Sequence, residues 1–132
     1  MTQGKEFSIE LEVRDYECDI QGIVNNSVYQ NYLEHARHKF LKSRGMNFLD
    51  ITRSGINLVV IRIEIDYKYS LSSGDRFYVT VKTAMESRLK MAFLQEIRKL
   101  ADDQLVVAAK VIGIALNERD RPCISPELEK LL

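Results

Sequence analysis

Residues 16–37, YECDIQGIVNNSVYQNYLEHAR, decide the fold because they join an irregular loop directly to an amphipathic helix. The first turn of a helix has backbone N–H groups without intrahelical partners, and Asn25, Asn26 or Ser27 would suit the task of capping them. The loop also contains one carboxylate, Asp19, several residues too early for an N-cap. Asp19 is therefore either a surface loop residue or one half of a small active site.

The segments on either side of this loop have two different periodicities. Residues 7–13 alternate apolar and polar side chains, which is typical of a half-buried strand. From Val28 onward the apolar residues follow helical spacing, and Gly45 is a natural residue to end a helix. We therefore predict a helix from about residue 26 to 44, on the order of 28 Å long.

Strand patterns return after this helix. The alternation over residues 59–69 is the clearest in the chain, and a second strand is expected over 77–83 after a turn at 72–75. Residues 105–116 read as a buried strand, and Ser125-Pro126-Glu127 is a good start for a short terminal helix.

Residues 88–100, RLKMAFLQEIRKL, are ambiguous, since their apolar positions fit helical spacing better than alternation. A strand there would pair with its neighbours on both sides through short turns and complete a meander. We therefore predict a strand.

Length and charge limit the kinds of function. With 132 residues we expect a single domain over residues 1–132. The 19 basic and 19 acidic residues cancel, so no overall field attracts nucleic acid or an anionic membrane. No apolar run approaches the roughly 18–20 residues that span a bilayer, and the first ten residues lack a signal-peptide pattern. We expect a cytoplasmic protein without nucleic-acid or membrane partners.

The cysteines and histidines lack the spacing of metal ligands. Cys18 and Cys123 are too few for a disulfide framework and are expected to be reduced thiols. His35 and His38 both lie on the predicted helix without a third ligand nearby. We expect no metal and no cofactor, and we expect no histidine to take part in catalysis.

The predicted order is one strand, a long helix, four antiparallel strands and a short helix, a two-layer α+β arrangement. Together with the loop, this order resembles the hot-dog fold, an antiparallel sheet of about five strands wrapped around one long helix. The closest likeness is to acyl-CoA thioesterases of the 4-hydroxybenzoyl-CoA thioesterase type. The residues that carry it are Asp19-Ile20-Gln21-Gly22-Ile23-Val24-Asn25-Asn26-Ser27-Val28-Tyr29 and Tyr32-Leu33-Glu34-His35-Ala36-Arg37, supported by Gly74-Asp75, Arg121-Pro122 and Ser125-Pro126-Glu127-Leu128.

The motif combines features of two branches of this family. Gly22-Ile23-Val24 is similar to the aryl-CoA branch, which uses an aspartate and no motif histidine. Asn25-Asn26-x-x-Tyr29 is similar to the fatty-acyl branch, whose members commonly carry a histidine at the position of Ile23. Another family pattern has histidine at the position of Asn26. Neither histidine is present, so the likeness implies that Asp19 acts with backbone and amide donors.

The resemblance implies a thioester hydrolase with assigned roles. Asp19 would attack the thioester carbonyl or deprotonate a water, and the backbone N–H of Asn26 would stabilise the oxyanion. Gly22 would allow a sharp turn and leave room for the substrate. Asn25 and Tyr29 would contact the substrate, although Asn25 could equally be only a cap and Tyr29 only a core residue.

Coenzyme A requires cations for its phosphates, and Arg88 and Lys90 are the residues we assign to them. A second basic cluster contains Arg119 and Arg121. The implied substrate is an acyl-CoA, or alternatively an acyl-carrier-protein thioester. The implied assembly is a homodimer or a dimer of dimers with the site at the subunit interface. Two other functions stay open: a hot-dog hydratase or dehydratase, and a non-catalytic acyl-thioester binding protein.

Overall fold

A long helix and an antiparallel sheet form two layers in the computed structural model, which describes residues 6–46 and 48–132. The helices are α1 (Asn26–Ser43), α2 (Phe48–Arg53) and α3 (Pro126–Glu129). The strands are β1 (Phe7–Glu12), β2 (Asn57–Tyr67), β3 (Arg76–Met85), β4 (Lys90–Lys99), β5 (Leu105–Leu116) and β6 (Pro122–Cys123). The α+β arrangement is confirmed, including the strand predicted over residues 88–100. The short helix α2 and strand β6 were not predicted.

The strands lie in the order β1-β3-β4-β5-β2, and each neighbouring pair is antiparallel. The expectation that consecutive strands are neighbours, which led to the prediction of β4, holds for β3, β4 and β5. It does not hold for β2, which pairs with β5 at one edge while β3 pairs with β1 near the other. The turn at residues 72–75 therefore belongs to a crossover between the two sides of the sheet and does not form a hairpin.

Strand β2 contains a bulge that strict alternation does not predict. Its register against β5 shifts just after Val60. Beyond the shift, Ile63 lies opposite the fully buried Val111, on the side of the sheet that faces α1. Before the shift, Val59 lies opposite Ile114, on the other side. The alternation over 59–69 thus indicated a strand correctly, but its apolar residues do not share one face.

The hydrophobic core lies between α1 and the sheet. Burial of a large apolar side chain contributes about 1.5–3 kcal/mol, so this layer is the main source of stability. The helix contributes Tyr29, Tyr32, Leu33, Ala36, Phe40 and Leu41, and the sheet contributes Phe77, Val79, Val81, Met91, Ile97, Val107 and Ala109. No helix among the described residues is long and apolar enough to cross a membrane.

A cation is enclosed in the same layer. Only 9% of Arg37 is exposed, and its Nη1 donates to the Oε1 of Gln95 at 3.1 Å. The Nε2 of Gln95 in turn donates to the carbonyl of Leu33 at 3.0 Å. Burial lowers the pKa of Arg37. The Gln95 amide therefore connects the middle of α1 to β4. It also accepts a hydrogen bond from the buried guanidinium of Arg37.

We predict that Gln95→Ala lowers the free energy of unfolding by about 1–3 kcal/mol, because it leaves the guanidinium of Arg37 buried without its amide partner. Chemical denaturation of the variant measures this loss. Gln104→Ala is the matched control, since Gln104 is exposed and its removal should change stability by less than about 0.5 kcal/mol. Equal stability of the two variants would contradict the structural role of Gln95.

Candidate active site

The N-terminus of α1 is capped by Asn25, the first of the three residues that the sequence offered for this role. Asn25 has extended backbone angles, φ −67° and ψ 141°, and its side-chain oxygen accepts from the Ser27 N–H at 3.1 Å. The Asn25 N–H donates to the carbonyl of Glu17 at 3.1 Å. This hydrogen bond joins the two ends of the loop, Glu17 and Asn25, so the loop lies next to the first turn of α1.

Asp19 organises the tip of this loop. Its Oδ1 accepts from the backbone N–H of Gln21 at 2.8 Å and, more weakly, from that of Ile23 at 3.4 Å. Its own N–H donates to the Ile23 carbonyl at 2.9 Å. Among the described residues no hydrogen-bond donor contacts Oδ2, and the side chain is exposed. The carboxylate is therefore fixed through one oxygen and open through the other.

Gly22 is required by the backbone of the turn. Its φ is +84°, a conformation that costs other residues roughly 1–2 kcal/mol. A Cβ built at this position would have no protein atom within 4 Å. The glycine is thus explained by the sharp turn, and the space beside it is open for a ligand to approach.

Tyr29 lies in the core and hydrogen-bonds to the crossover before β3 at Leu71. Its side chain is 2% exposed, and its hydroxyl accepts from the Leu71 N–H at 3.0 Å. The Leu71 carbonyl accepts from the Val24 N–H at 2.9 Å, so the crossover is attached to the active-site loop. In a single chain Tyr29 is a core residue, without an open surface for the substrate contact that we predicted.

The backbone N–H of Asn26 has the position expected of an oxyanion donor. It is the first residue of α1, it is exposed, and its N–H donates to no other described residue. The aligned peptide dipoles give this end of a helix about half a positive charge. An open N–H at the helix end and an open carboxylate oxygen on the adjoining loop are the two groups that hydrolysis of an acyl compound requires.

Arg88 and Lys90 are not near this loop in the same chain. They lie at the turn between β3 and β4, whereas the loop lies at the end where β3 begins. The eight steps from Phe77 to Met85 span about 26 Å at 3.3 Å per residue. The turn with Arg119 and Arg121 lies at the same distant end, since it follows β5 beside the residues that pair with Lys90.

The histidines lie well along α1 from its first residue, and His35 lines a cavity together with Glu17 and Tyr32. His35 and His38 occupy exposed positions on α1, some 13–18 Å along the helix from Asn26 at 1.5 Å per residue. Among the residues that the structure describes, no group of three or more His, Cys, Asp or Glu side chains is arranged to hold a metal ion.

A contact between Glu17 and Tyr32 is part of this site and was not predicted. The Tyr32 hydroxyl donates to the Oε1 of Glu17 at 2.7 Å. Burial, and then the hydrogen bond to the Glu17 carboxylate, raise the pKa of Tyr32 well above its ordinary value. No periodicity or motif spacing indicates this pair, because the folding of the intervening loop brings the two side chains together.

Residues 13–132 match the family model of the thioesterase-like superfamily. The chain belongs to this superfamily. Among its curated relatives is the Arabidopsis thaliana chloroplastic acyl-acyl carrier protein thioesterase ATL3, which is 39% identical over 118 residues. That match covers 89% of this chain and 62% of the relative, so the chain spans less than two thirds of the length of that protein.

Solved structures of similar proteins confirm the hot-dog fold. A hypothetical protein from Aquifex aeolicus has a TM-score of 0.87 and 30% identity, with 96% of this chain and 99% of that chain covered. A 1,4-dihydroxy-2-naphthoyl-CoA thioesterase from Synechocystis has a TM-score of 0.88 and 20% identity, with coverage of 96% and 95%. The thioesterase-like chain therefore has the predicted sheet around one long helix.

Proposed function

We propose that this thioesterase-like chain hydrolyses acyl thioesters, with Asp19 as general base or nucleophile. Two observations support the proposal: among the described residues, no donor contacts one oxygen of Asp19, and the Asn26 N–H at the start of α1 donates to no acceptor. The space beside Gly22 is open, and we propose that a substrate carbonyl reaches both groups from there.

Two routes of hydrolysis are consistent with this geometry. As a base, Asp19 would take a proton from water while the oxygen of that water bonds to the carbonyl carbon. As a nucleophile, it would form an acyl anhydride that water then cleaves. In both routes the carbonyl oxygen gains negative charge that the Asn26 N–H stabilises, and the carbon–sulfur bond breaks as the thiol leaves. One such donor lowers the barrier by about 2.7–4 kcal/mol.

The substrate class proposed is an acyl-CoA or an acyl-carrier-protein thioester. The names of the Arabidopsis and Synechocystis proteins refer to one of these substrates each. The thioester group is the same in both, so the Asp19 loop can act on either. The choice between the two substrates would then depend on whether the chain has a surface that binds the carrier protein or one that binds the CoA nucleotide.

We predict that Asp19→Asn lowers kcat by more than about 10²-fold, because the amide is neither a base nor a nucleophile. Thiol release from a panel of acyl-CoAs and acyl-carrier-protein thioesters measures this loss. Asp102→Asn is the matched control. Like Asp19, Asp102 accepts a hydrogen bond from the backbone N–H of the residue two positions later, here Gln104 in the β4–β5 turn. This control variant should keep wild-type turnover. Wild-type-like activity of Asp19→Asn would contradict the assignment, and binding without any hydrolysis by the wild type would favour a non-catalytic binding protein.

We further propose that two copies join through the free edge of β2. This strand has eleven residues and pairs on one side only, with β5. Val60, Ile61, Ile63 and Tyr67 are each 39–45% exposed in the single chain. Soluble proteins rarely leave a long apolar edge strand uncovered, because its unpaired backbone groups would bind other strands. A second copy would continue the sheet and cover these side chains.

Light scattering at micromolar concentration is expected to give the mass of a dimer or of a dimer of dimers. Ile63→Lys should shift the mass toward the monomer, since it places a charge in the proposed contact. Lys82 is exposed on another strand, so Lys82→Ala is a control that should leave the mass unchanged. A monomeric wild type that retains activity would contradict the proposal.

Arg88 and Lys90 are far from Asp19 within one chain, but pairing of two β2 edges would bring those of a second copy toward it. In a two-fold antiparallel pairing, the end of one sheet that holds the Asp19 loop lies beside the opposite end of its partner. Arg88 and Lys90 of one copy would then lie on the same side of the dimer as Asp19 of the other. We propose that they bind the CoA phosphates there.

Complementation between two chains that are impaired in different parts of the site tests this arrangement. Arg88→Ala/Lys90→Ala should raise KM for acyl-CoA about two- to thirtyfold, since exposed ion pairs contribute about 0.2–1 kcal/mol each. Mixed dimers of this variant with Asp19→Asn, purified through two tags, should regain one complete site and about half of the wild-type kcat/KM. Wild-type KM in the double variant, or no recovery in the mixed dimer, would contradict the shared site.

A further inference from the structure

We propose that Glu17 and Tyr32 are positioning residues, whose hydrogen bond fixes the Asp19 carboxylate relative to the Asn26 N–H. The inference rests on the proposed thioester hydrolysis and concerns two side chains to which the family motif gave no role. Neither residue needs to touch the substrate, because both act through the loop that carries Asp19.

The Glu17 carboxylate makes the first of the contacts that support this inference. It belongs to a short 3₁₀ turn, Asp15–Glu17, at the start of the loop. Its Oε1 accepts from the Tyr32 hydroxyl at 2.7 Å and from the Arg14 N–H at 2.8 Å. Only 10% of its side chain is exposed, and Oε2 lies 3.6 Å from the Arg14 guanidinium. Both hydrogen bonds thus converge on one oxygen of a largely enclosed carboxylate.

The main chain of Glu17 makes the second contact. Its carbonyl accepts from the N–H of Asn25, the cap of α1, at 3.1 Å. Glu17 therefore contacts α1 at two levels, at the cap through its backbone and about two turns further on through Tyr32. Asp19 follows Glu17 by only two residues, so these contacts determine where its carboxylate lies relative to the helix end.

Tyr32 provides a rigid anchor for Glu17. Its side chain is 6% exposed, and its ring packs against Phe77 of β3 with centroids 4.7 Å apart. Tyr29 contacts it edge to face at 6.1 Å. A tyrosine hydroxyl is protonated near neutrality, so Tyr32 is the donor in this contact. The position of the loop is thus fixed against the sheet as well as the helix.

The expected consequence of losing the contact is a fall in kcat. A displacement of reacting groups by about 1 Å can cost on the order of 10²-fold in rate. Binding of the substrate would be little affected, because neither altered side chain is proposed to contact it. A purely structural role would lower the thermal midpoint without changing turnover of the protein that remains folded.

Four variants separate these possibilities. Tyr32→Phe removes the hydroxyl, and Glu17→Ala removes the acceptor for both donors. Glu17→Gln keeps an amide oxygen that can accept from Tyr32 and Arg14 while it removes the charge. Tyr78→Phe is the matched control, since the Tyr78 hydroxyl also donates to a carboxylate, that of Asp103, at the β4–β5 turn. Steady-state hydrolysis of an acyl-CoA is measured well below the thermal midpoint of each protein.

We expect kcat to fall about ten- to a hundredfold in Tyr32→Phe and Glu17→Ala, with KM within about threefold of the wild type. Glu17→Gln should recover at least tenfold of the loss seen in Glu17→Ala, and Tyr78→Phe should match the wild type. Wild-type kcat in Tyr32→Phe, an equal loss in Tyr78→Phe, or an effect confined to KM would overturn the inference.

Hydrogen exchange of the loop amides gives a readout that does not require hydrolysis. The Asn25 N–H, which donates to Glu17, and the Gly22 N–H, which donates to Asp19, should exchange faster in Glu17→Ala and Tyr32→Phe than in Tyr78→Phe. Unchanged exchange would overturn the positioning role. If the wild type hydrolyses no thioester while exchange still depends on Glu17 and Tyr32, the proposed function fails and the loop contact stands.

Discussion

The hydrogen bond between the Asn25 N–H and the Glu17 carbonyl is the constraint on which the site depends. It closes the loop at the point where irregular backbone becomes helix, so the cap of α1 and the Asp19 turn are parts of one unit. Without this closure, a helix end and an exposed carboxylate would be separate features with no common ligand. With it, the loop that carries the Asp19 carboxylate is fixed beside the positive end of α1.

Residues of the core hold the Asp19 loop and the cap of α1 in position. Tyr29 and Tyr32 extend from the first turns of α1 into the core and hydrogen-bond to the crossover and to the loop, respectively. The core and the candidate site therefore use the same helix face. Apolar contacts of α1 with β3 keep it in place, and the hydroxyls of two buried tyrosines connect it to the Leu71 backbone and to the Glu17 carboxylate.

Periodicity and the motif predicted most of the fold and the location of the candidate site. Helix α1 and strands β1, β3 and β5 have strong local patterns, whereas β4 was predicted from the pairing it offers to its neighbours. The bulge in β2 was not predictable, because a single inserted residue leaves apolar composition unchanged while it reverses the face. The Glu17–Tyr32 contact depends on the folded loop, so spacing along the chain could not reveal it. The distance of Arg88 from Asp19 likewise follows from strand direction, which composition does not encode.

The crossover between the two sides of the sheet has a consequence for the order of folding. Strand β1 finds its partner only in β3, as Phe7 pairs with Val81, whereas β3, β4 and β5 pair through short turns. During synthesis, β1 and the apolar face of α1 would leave the ribosome well before the strands that cover them. Pairings between distant parts of a chain form slowly, because closing a long loop costs entropy before the contacts compensate for it. The nascent chain would thus depend on its second half to protect its first third.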